Sequence, residues 1–334
     1  MGMNSNEWQS FVVSSRIRLA RNVAKLPFPN KLNPSVGRQL AEQIGARMKS
    51  RRFGLIFVDE LSTLELNSLI ERHLISPALA SNAACGALML SSDDSLSVML
   101  NEEDHLRIQS IEACMNLREA YRKAEELDNE LISEFPVAYS ERFGFLTSCP
   151  SNVGTGLRAS AMLFLPALTY SNSMRKIVNT LNKVRITVRG IYGEGSKALG
   201  CLYQVSNQVS LGHSEEEILA TVAEAVEKVC EAERIARENL RKRSPEQLKD
   251  RILRSYGILT NAYVLSTDEF MELFSYVRLG GYYGYCTLPT EETLNKLLYS
   301  VQPNTLQKNQ GVDFTPLERD VCRAETVRKV LNKF

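Results

Sequence analysis

The 334-residue chain is poor in histidine and tryptophan, and its cysteines are scattered. It has three histidines, one tryptophan and seven cysteines, and no two cysteines form a CxxC pair. Structural zinc sites need closely spaced cysteines and histidines, and disulfide frameworks need paired cysteines, so this pattern argues against both. We therefore expect a protein of a reducing compartment, the cytoplasm.

Long apolar runs and an excess of one charge are also missing. The longest apolar run, residues 161–168, is about half a membrane span and contains Pro166. The first residues show no basic segment followed by an apolar one, so we expect no secretory signal. The 40 Lys and Arg residues against 39 Asp and Glu leave a formal net charge of +1. This balance gives no reason to expect nucleic acid or a membrane as partner.

The common phosphate-binding loops are absent as well. No GxxxxGK[ST] motif occurs in the sequence. The nearest glycine-rich stretch, residues 193–200, matches neither that motif nor GxGxxG. A bound nucleotide would therefore have to be held by other means, and any basic binding site must be local.

Hydrophobic patterns predict alternating strand-like and helix-like segments in the first two thirds of the chain. A hairpin is predicted at 87–90 and 96–100, with its turn at 91–94, and an amphipathic helix at 112–131. Further strands are predicted at residues 53–58, 143–147 and 184–188. Because few βαβ repeats occur, we predict an α+β fold with a mainly antiparallel sheet flanked by helices.

The C-terminal third is predicted to be helical. Ser214 and Glu217 form a capping box before a long helix whose buried stripe continues to Leu240. Ser244-Pro245, Thr290 and Thr315 are typical of three further helix starts. We therefore predict two domains, an α+β domain at residues 1–239 and a small all-helical domain at 240–334.

Four polar segments are candidates for a functional site. Arg16 and Arg18 are two positions apart, so on a strand their side chains would lie on one face. Residues 101–107, NEEDHLR, contain three carboxylates, a histidine and an arginine. The small residues at 147–160 allow a close backbone approach to a ligand. Residues 189–195 combine an arginine and a glutamate with glycines.

Each of these segments also has an ordinary structural explanation. The carboxylates at 102–104 are typical of a solvated turn, and Arg16 and Arg18 of surface ion pairs worth about 0–1 kcal/mol. Cys149 could be an inert buried thiol. Taken together, the segments are what a dispersed site for a polyanion needs, but the residues alone leave both explanations open.

The segments resemble the signature blocks of the phosphagen (guanidino) kinase family, which includes creatine and arginine kinases. NEEDHLR at 101–107 and CPSNVGTGLRAS at 149–160 carry the resemblance, which extends from about Phe11 to Ile218. It implies the catalytic-domain fold of that family and phosphorylation of a guanidinium group by ATP. It also implies Mg²⁺, held by phosphates and water without a protein ligand set.

The resemblance also implies site residues. Glu103 and Glu194 would be the catalytic pair that holds the substrate guanidinium. The ATP phosphates would lie in a cage of five arginines, Arg16, Arg18, Arg107, Arg158 and Arg189. The other implied ATP contacts are Ser14, Ser15, Ile17, His73, Ala159, Ser160, Ala161, Met162, Gly190, Ile191, Tyr192, Gly193 and Glu194. Cys149 would lie beside the pocket as a tuned thiol, with a structural thiol as the alternative.

Two departures from the metabolite kinases point to the bacterial protein-arginine kinases within the family. Only about a dozen residues precede Ser14, where metabolite kinases carry a helical N-terminal domain, and the region after 240 is foreign to them. Residues 319–324, RDVCRA, match a motif of that branch. This match implies a regulatory phosphoarginine site formed by Arg319, Asp320, Arg323 and Ala324. The alternative for these arginines is a solvated basic helix face.

The resemblance implies partners as well. We expect protein substrates with exposed arginines, and a homodimer with the helical C-terminal domain in dimerisation or regulation. A small zinc-binding activator and a Clp-type ATPase–protease are implied associates, in stress response and in marking proteins for proteolysis. Two alternatives remain, a kinase of a free guanidino metabolite and a non-catalytic regulatory adaptor.

Overall fold

The computed structural model describes residues 8, 10–48, 53–190 and 199–333. They form two compact units. We name the first the sheet unit, which comprises Ser14–Ala161 and Ser206–Ala223. The second, the helical unit, comprises the described parts of Met1–Val13, Met162–Val205 and Glu224–Phe334.

Most of the strands belong to one sheet. The strands are β1 (Val12–Arg21), β2 (Gly54–Phe57), β3 (Ala87–Leu90), β4 (Leu96–Leu100), β5 (Leu106–Ala113), β6 (Tyr139–Ser140), β7 (Gly144–Phe145), β8 (Leu157–Phe164), β9 (Ile186–Gly190) and β10 (Leu202–Asn207). Within the described residues, the larger sheet has the order β2-β3-β4-β5-β1-β8-β10-β9, and β6 and β7 form a separate hairpin.

The helices are concentrated towards the C-terminus. They are α1 (Pro34–Met48), α2 (Thr63–Glu71), α3 (Pro77–Ala80), α4 (Leu117–Glu134), α5 (Pro166–Tyr170), α6 (Met174–Asn182), α7 (Glu215–Arg243), α8 (Pro245–Asn261), α9 (Thr267–Tyr282), α10 (Glu291–Ser300), α11 (Pro303–Gln310) and α12 (Pro316–Leu331). Short 3₁₀ turns lie at Pro29–Lys31, Val58–Glu60, Pro150–Asn152 and Leu199–Cys201. No described helix has both the length and the apolar character that crossing a bilayer requires.

Paired strands in the sheet unit run antiparallel. This holds for β2 with β3, β3 with β4, β4 with β5 and β5 with β1. The N–H of Ala20 donates to Gly156 O (3.0 Å) and Ser160 Oγ donates to Arg16 O (3.2 Å), so β8 also runs opposite to β1. The predicted α+β class, with an antiparallel sheet flanked by helices and a helical C-terminal region, is confirmed.

The local predictions succeeded where turns and caps are encoded nearby. The hairpin β3–β4 has its predicted ends, and the Asp94 N–H donates to Ser91 O (3.1 Å) in its turn. The Glu217 N–H donates to Ser214 Oγ (3.2 Å), and the Ser214 N–H donates to the Glu217 carboxylate (2.8 Å). This reciprocal pair confirms the capping box at the start of α7.

Other local predictions were wrong. The helix predicted from Glu112 begins only at Leu117, because β5 continues to Ala113 and Cys114 then takes a left-handed φ of 58°. The strand predicted at 143–147 is only the two-residue β7. The last four residues of the small-residue segment 147–160 lie in β8, whose alanines fit the crowded sheet interior. The boundary predicted at 239/240 falls inside α7, and the two-domain division stays a prediction.

A buried ion pair on α7 anchors the helical unit. Arg237 Nε donates to Glu233 Oε1 (2.9 Å), and the two side chains are 1% and 0% exposed. The guanidinium lies over the rings of Phe11 (4.3 Å) and Tyr282 (4.4 Å). The Leu168 N–H donates to the Glu233 carboxylate (2.8 Å), so this pair also ties the start of α5 to α7.

We expect Arg237→Ala to lower the free energy of unfolding by about 3–5 kcal/mol, because it leaves the Glu233 carboxylate buried and unpaired. Urea denaturation followed by circular dichroism measures this change. The matched control is Arg234→Ala on the same helix, whose pair with Glu231 is exposed, and which should cause no measurable change. Equal unfolding midpoints for the two variants would contradict the anchoring role.

Candidate active site

One face of the sheet unit carries arginines. On β1, Ser15, Ile17 and Leu19 are buried, while Arg16 and Arg18 alternate with them, as the spacing predicted. Arg107 on β5 is paired with Ala20, so its side chain projects to the face of Arg16 and Arg18. Arg158 on β8 lies between the two β1–β8 contacts at Gly156 and Ser160, alongside Arg18. Three strands therefore present four guanidinium groups on one face.

A cavity of about 90 Å³ opens beside these arginines. Its lining comes from β1, β5, β8, the turn after β4 and the 3₁₀ turn at 150–152. The lining residues are Arg18, Ala20, Glu103, Arg107, Cys149, Ser151, Asn152, Gly156 and Arg158. The cavity therefore brings together members of three of the four candidate segments.

The electrostatics of this face favour an anionic ligand. Burial, and then the charges of Arg16, Arg107 and Arg158, hold the pKa of Arg18 well below its ordinary value, although Glu102 opposes them. Its Nε is buried and has no hydrogen-bond partner within the part of the chain that the structure describes. A phosphate oxygen would satisfy this donor and relieve the repulsion, so the residues fit the phosphates of ATP.

Glu102 is a buried partner of the arginine face. Its side chain is 2% exposed, and Arg107 Nη1 donates to both carboxylate oxygens, at 2.7 and 2.6 Å. The Ser76 hydroxyl also donates to it. Burial alone would raise the pKa of Glu102, but Arg107 and these hydrogen bonds outweigh it and lower the pKa. The solvated-turn interpretation is therefore wrong for Glu102.

Glu103 is the exposed member of this turn and lines the cavity. The turn starts at Asn101, which has a left-handed φ of 56° and whose Nδ2 donates to Gly37 O and Cys85 O, both at 2.9 Å. The implied catalytic partner, Glu194, lies outside the described residues. The catalytic assignment of the pair stays a prediction.

His73 lies in the same electrostatic environment. It follows α2 with a left-handed φ of 59°. Burial, and then the charges of Arg16 and Arg18, lower the pKa of His73 to about 3. The imidazole is therefore neutral near pH 7, where a cation would add to the repulsion among the arginines.

The remaining implied ATP contacts are more dispersed. Five of them are buried within the sheet, namely Ser15, Ile17, Ala159, Ser160 and Ala161. Ser14, near the start of β1, is half-buried. Met162, Arg189 and Gly190 belong to the helical unit, where Met162 is part of the core. The residues Ile191, Tyr192, Gly193 and Glu194 lie outside the described residues. Their assignment as nucleotide contacts stays a prediction.

The segment at 147–156 closes the other side of the cavity. Cys149 is half-buried, lines the cavity as expected, and has its Sγ 3.1 Å from Ser151 Oγ. Gly156 has φ of 67°, and a Cβ there would meet Ala20 O at 2.6 Å, so only glycine fits against β1. The close approach inferred from these small residues is therefore made to a strand.

Sequence reasoning missed the buried polar residues that support the cavity. Arg21 at the end of β1 is one of them. Its Nη2 donates to Asp128 on α4 (2.7 Å), and its Nη1 donates to Thr155 O (2.9 Å). Nothing near Arg21 in the sequence indicates that its partners lie 107 and 134 positions away.

The implied regulatory residues on α12 are mostly buried. Arg323 is 0% exposed, and donates from Nε to Val301 O (2.9 Å) and from Nη1 to Leu265 O (2.8 Å). It also contacts Asp320, and Ala324 is in the core of the helical unit. Arg319 is half-buried. The solvated-face interpretation is wrong for Arg323, and phosphoarginine binding stays a prediction.

An antiparallel sheet that presents arginines beside a glutamate is a site for an enzyme that acts on a polyphosphate. The family described as ATP:guanido phosphotransferase, C-terminal catalytic domain, matches residues 35–236, more than half of the chain. The chain therefore belongs to the ATP:guanido phosphotransferase, or phosphagen kinase, family. The family described as Protein-arginine kinase McsB C-terminal domain matches residues 245–334.

Several curated relatives are similar over almost the whole chain. A protein-arginine kinase of Caldanaerobacter subterraneus subsp. tengcongensis is 44% identical over 328 residues, which are 96% of this chain and 97% of that protein. One from Moorella thermoacetica is 45% identical over 327 residues, 96% of this chain and 93% of that protein. One from Geobacillus stearothermophilus is 43% identical over 326 residues, 96% and 90% respectively.

Solved structures share the fold. A crystal structure of lombricine kinase has a TM-score of 0.59 at 24% identity and covers 68% of this chain and 67% of its own. The duplicated taurocyamine kinase from Schistosoma mansoni, with bound transition state analog components, has a TM-score of 0.62 at 23% identity. It covers 81% of this chain and 40% of its own. These similarities confirm the phosphagen kinase fold that the sequence predicted.

The depressed pKa of His73 predicts a pH dependence of stability. Below pH 6.5 the His73 imidazole binds a proton in the unfolded chain but stays neutral in the folded chain. The free energy of unfolding therefore decreases as the pH falls from about 6.5 to 3, by up to about 1.4 kcal/mol per pH unit. His73→Gln should make the thermal midpoint less sensitive to acid in this range. The control, His213→Gln, changes an exposed histidine and should leave the pH profile unchanged. Parallel profiles for wild type and His73→Gln would contradict the assignment.

Proposed function

We propose that this protein is a kinase that transfers the γ-phosphoryl group of ATP to arginine side chains of other proteins. One observation carries the proposal: one cavity is lined by Glu103 and by Arg18, whose buried Nε has no hydrogen-bond partner among the described residues. An anion-binding face and a carboxylate for a guanidinium are the two elements that such a transfer needs.

In this proposal, the arginine face binds and orients the phosphates. Arg18, Arg107 and Arg158 all line the cavity, and their guanidinium groups are held by a rigid sheet. Fixed donors stabilise charge that develops on phosphoryl oxygens without having to reorganise. The Mg²⁺ that accompanies ATP in this family supplies further neutralisation when it is bound.

Glu103 would hold the substrate guanidinium and later accept its proton. A carboxylate cannot readily deprotonate a guanidinium, because the guanidinium is by far the weaker acid and the proton transfer alone would cost about 11 kcal/mol. We therefore propose that Glu103 first orients the guanidinium by hydrogen bonds. As the new P–N bond forms, the bond between the γ-phosphorus and the bridging oxygen of ATP breaks and ADP leaves. Glu103 takes the proton from the nitrogen, which this bond acidifies, and Glu194 is the proposed second carboxylate.

The extent of the similarity supports a protein substrate. The curated relatives described above are named protein-arginine kinases, and each of them matches 96% of this chain. The C-terminal region matches the corresponding domain of such a kinase. A kinase of free guanidino metabolites is the second candidate, because lombricine and taurocyamine kinases share the fold. Glu103 and the intact arginine face weigh against a non-catalytic adaptor.

The proposed function is tested by supplying either an arginine-rich protein or free arginine with MgATP. We expect acid-labile phosphoarginine on the protein, detected by mass spectrometry under neutral conditions, and little turnover of free arginine. Efficient turnover of free arginine with no protein modification would establish the metabolite kinase instead. No turnover of either substrate would favour the adaptor.

The role of Glu103 predicts a separation of binding from turnover. Glu103→Gln should bind ATP with nearly unchanged affinity, because the arginine face is intact, but lose phosphorylation by about 100-fold or more. Calorimetry and phosphoarginine mass spectrometry measure the two quantities. Glu141→Gln, at an exposed glutamate in the β6–β7 turn, is the matched control and should retain full activity. Undiminished turnover by Glu103→Gln would remove Glu103 from the mechanism.

We also propose that the α12 segment, with Arg319, Asp320, Arg323 and Ala324, binds phosphoarginine and couples it to activity. Because Arg323 is engaged with backbone carbonyls, replacing it would also destabilise the helical unit, so Arg319 is the better test. Its Nε is buried without a hydrogen-bond partner among the described residues. A phosphoryl oxygen that reached this donor would satisfy it.

We expect Arg319→Ala to weaken phosphoarginine binding by about tenfold or more, because a charge-assisted hydrogen bond is lost. Titration calorimetry with free phosphoarginine measures the affinity, and thermal unfolding shows whether the variant is folded. Lys329→Ala, at an exposed position of the same helix, should bind like wild type. Absence of binding by wild type, or equal affinity for Arg319→Ala, would refute the site.

The proposal extends to partners and location. The described cysteines are all free thiols, which supports a reducing cytoplasm as the location. A homodimer formed through the helical unit is proposed on the basis of the family resemblance. A small zinc-binding activator and a Clp-type ATPase–protease, in stress response and protein degradation, are proposed associates on the basis of the family resemblance.

A further inference from the structure

Asn22, the residue after β1, is a buried connection between three segments. It is 1% exposed. Its Nδ2 donates to Asp104 Oδ1 (2.6 Å) and to Leu146 O (3.0 Å), and its Oδ1 accepts from the His105 N–H (2.9 Å). Both amide hydrogens and the amide oxygen are therefore used, so the orientation of the side chain is fixed.

Asp104 extends this connection to the segment before Cys149. The Oδ1 that accepts from Asn22 also accepts from the Ser148 N–H (2.7 Å), and Asp104 is 2% exposed. One carboxylate oxygen thus joins the end of β1, the turn at 101–105 and the segment at 146–148. Buried hydrogen bonds to a charged group contribute more than neutral ones and restrict geometry more tightly.

Neither Asn22 nor Asp104 is among the described residues that line the cavity, but chain neighbours of Asp104 and Ser148 are. Glu103 precedes Asp104, and Cys149 follows Ser148. On the other side of Glu103, Glu102 is bound by Arg107. The two carboxylates that flank Glu103 in the sequence are therefore held by different groups. Glu102 is held by the arginine face, and Asp104 is held by Asn22.

We propose that Asn22 is a positioning residue that, through Asp104, sets the place of the Glu103 carboxylate relative to the Cys149 side of the cavity. The proposal rests on the proposed function for its catalytic consequence. Asn22 touches neither ATP nor substrate. A displacement of Glu103 by about 1 Å is enough to cost up to about 100-fold in turnover.

The kinetic test compares Asn22→Ala, Asp104→Leu and Asp104→Asn. The first two should lower kcat by about 10- to 100-fold and leave the KM for ATP within about twofold, because the arginine face is untouched. Asp104→Asn keeps an oxygen that can accept from both Asn22 and Ser148, so it should retain most of the activity. An equal loss for Asp104→Asn and Asp104→Leu would overturn the proposal in favour of a role for the negative charge.

A kinetic double-mutant cycle tests whether the two residues act through one connection. The double variant Asn22→Ala/Asp104→Leu should be no slower than the slower single variant within about threefold, whereas independent effects would multiply. Leu127→Ala, a buried substitution on α4, controls for general destabilisation and should not change kcat at a temperature where it is folded. A kcat loss in this control equal to that of Asn22→Ala would overturn the positioning role.

A measurement that needs no activity completes the test. Hydrogen exchange of the wild type without nucleotide should show a protected Ser148 amide. Its exchange should accelerate by about fivefold or more in Asn22→Ala and Asp104→Leu, and stay near wild type in Asp104→Asn. Unchanged exchange in Asn22→Ala would refute the connection. A wild type that phosphorylates no protein would refute the proposed function, while the exchange result still decides the connection.

Discussion

The mutual repulsion of arginines on one sheet face is the constraint on which the site depends. Cross-strand neighbours are held about 5 Å apart at Cβ, so side chains of like charge cannot separate without breaking the sheet. Burial, and then this repulsion, lower the pKa values of Arg18 and His73. Glu102 neutralises part of the charge, and the remainder favours an anion with several oxygens. Repulsion among the arginines thus lowers the stability of the sheet at this place, and the same arginines form a binding site.

The parts around this face hold it without filling the cavity. Gly156 allows β8 to approach β1 closely, and Arg21 joins that crossing to Asp128 on α4. In the 101–105 turn, Asn101, Glu102 and Asp104 accept or donate hydrogen bonds within the protein, and Glu103 is left exposed. Rigid elements thus surround one exposed carboxylate. This division of labour is what preorganisation of a transfer site requires.

Local chemistry was predictable from the sequence, and distant pairing was not. The β3–β4 hairpin and the capping boxes depend on residues within a few positions, and the alternation of Arg16 and Arg18 follows from strand geometry. The burial of Glu102 and the hydrogen-bond partners of Arg21 and Arg323 depend on residues from other segments. The local patterns, which are typical of a solvated turn and a solvated helix face, therefore gave wrong interpretations of Glu102 and Arg323. The predicted start of α4 was wrong because β5 continues to Ala113 and Cys114 then takes a left-handed conformation, and both depend on pairing with a distant strand. At the cavity, the resemblance to the family motifs nevertheless predicted residues that the structure places in the lining.

The buried arginines have a consequence for an enzyme whose target is arginine. Arg21, Arg237 and Arg323 have side chains that are 3%, 1% and 0% exposed, and backbone carbonyls or carboxylates occupy their guanidinium groups. A guanidinium enclosed in this way cannot enter the cavity of another copy. The arginines on which folding depends are thereby protected from phosphorylation while the protein is folded. Phosphorylation of one copy by another is confined to exposed arginines such as Arg118 and Arg254.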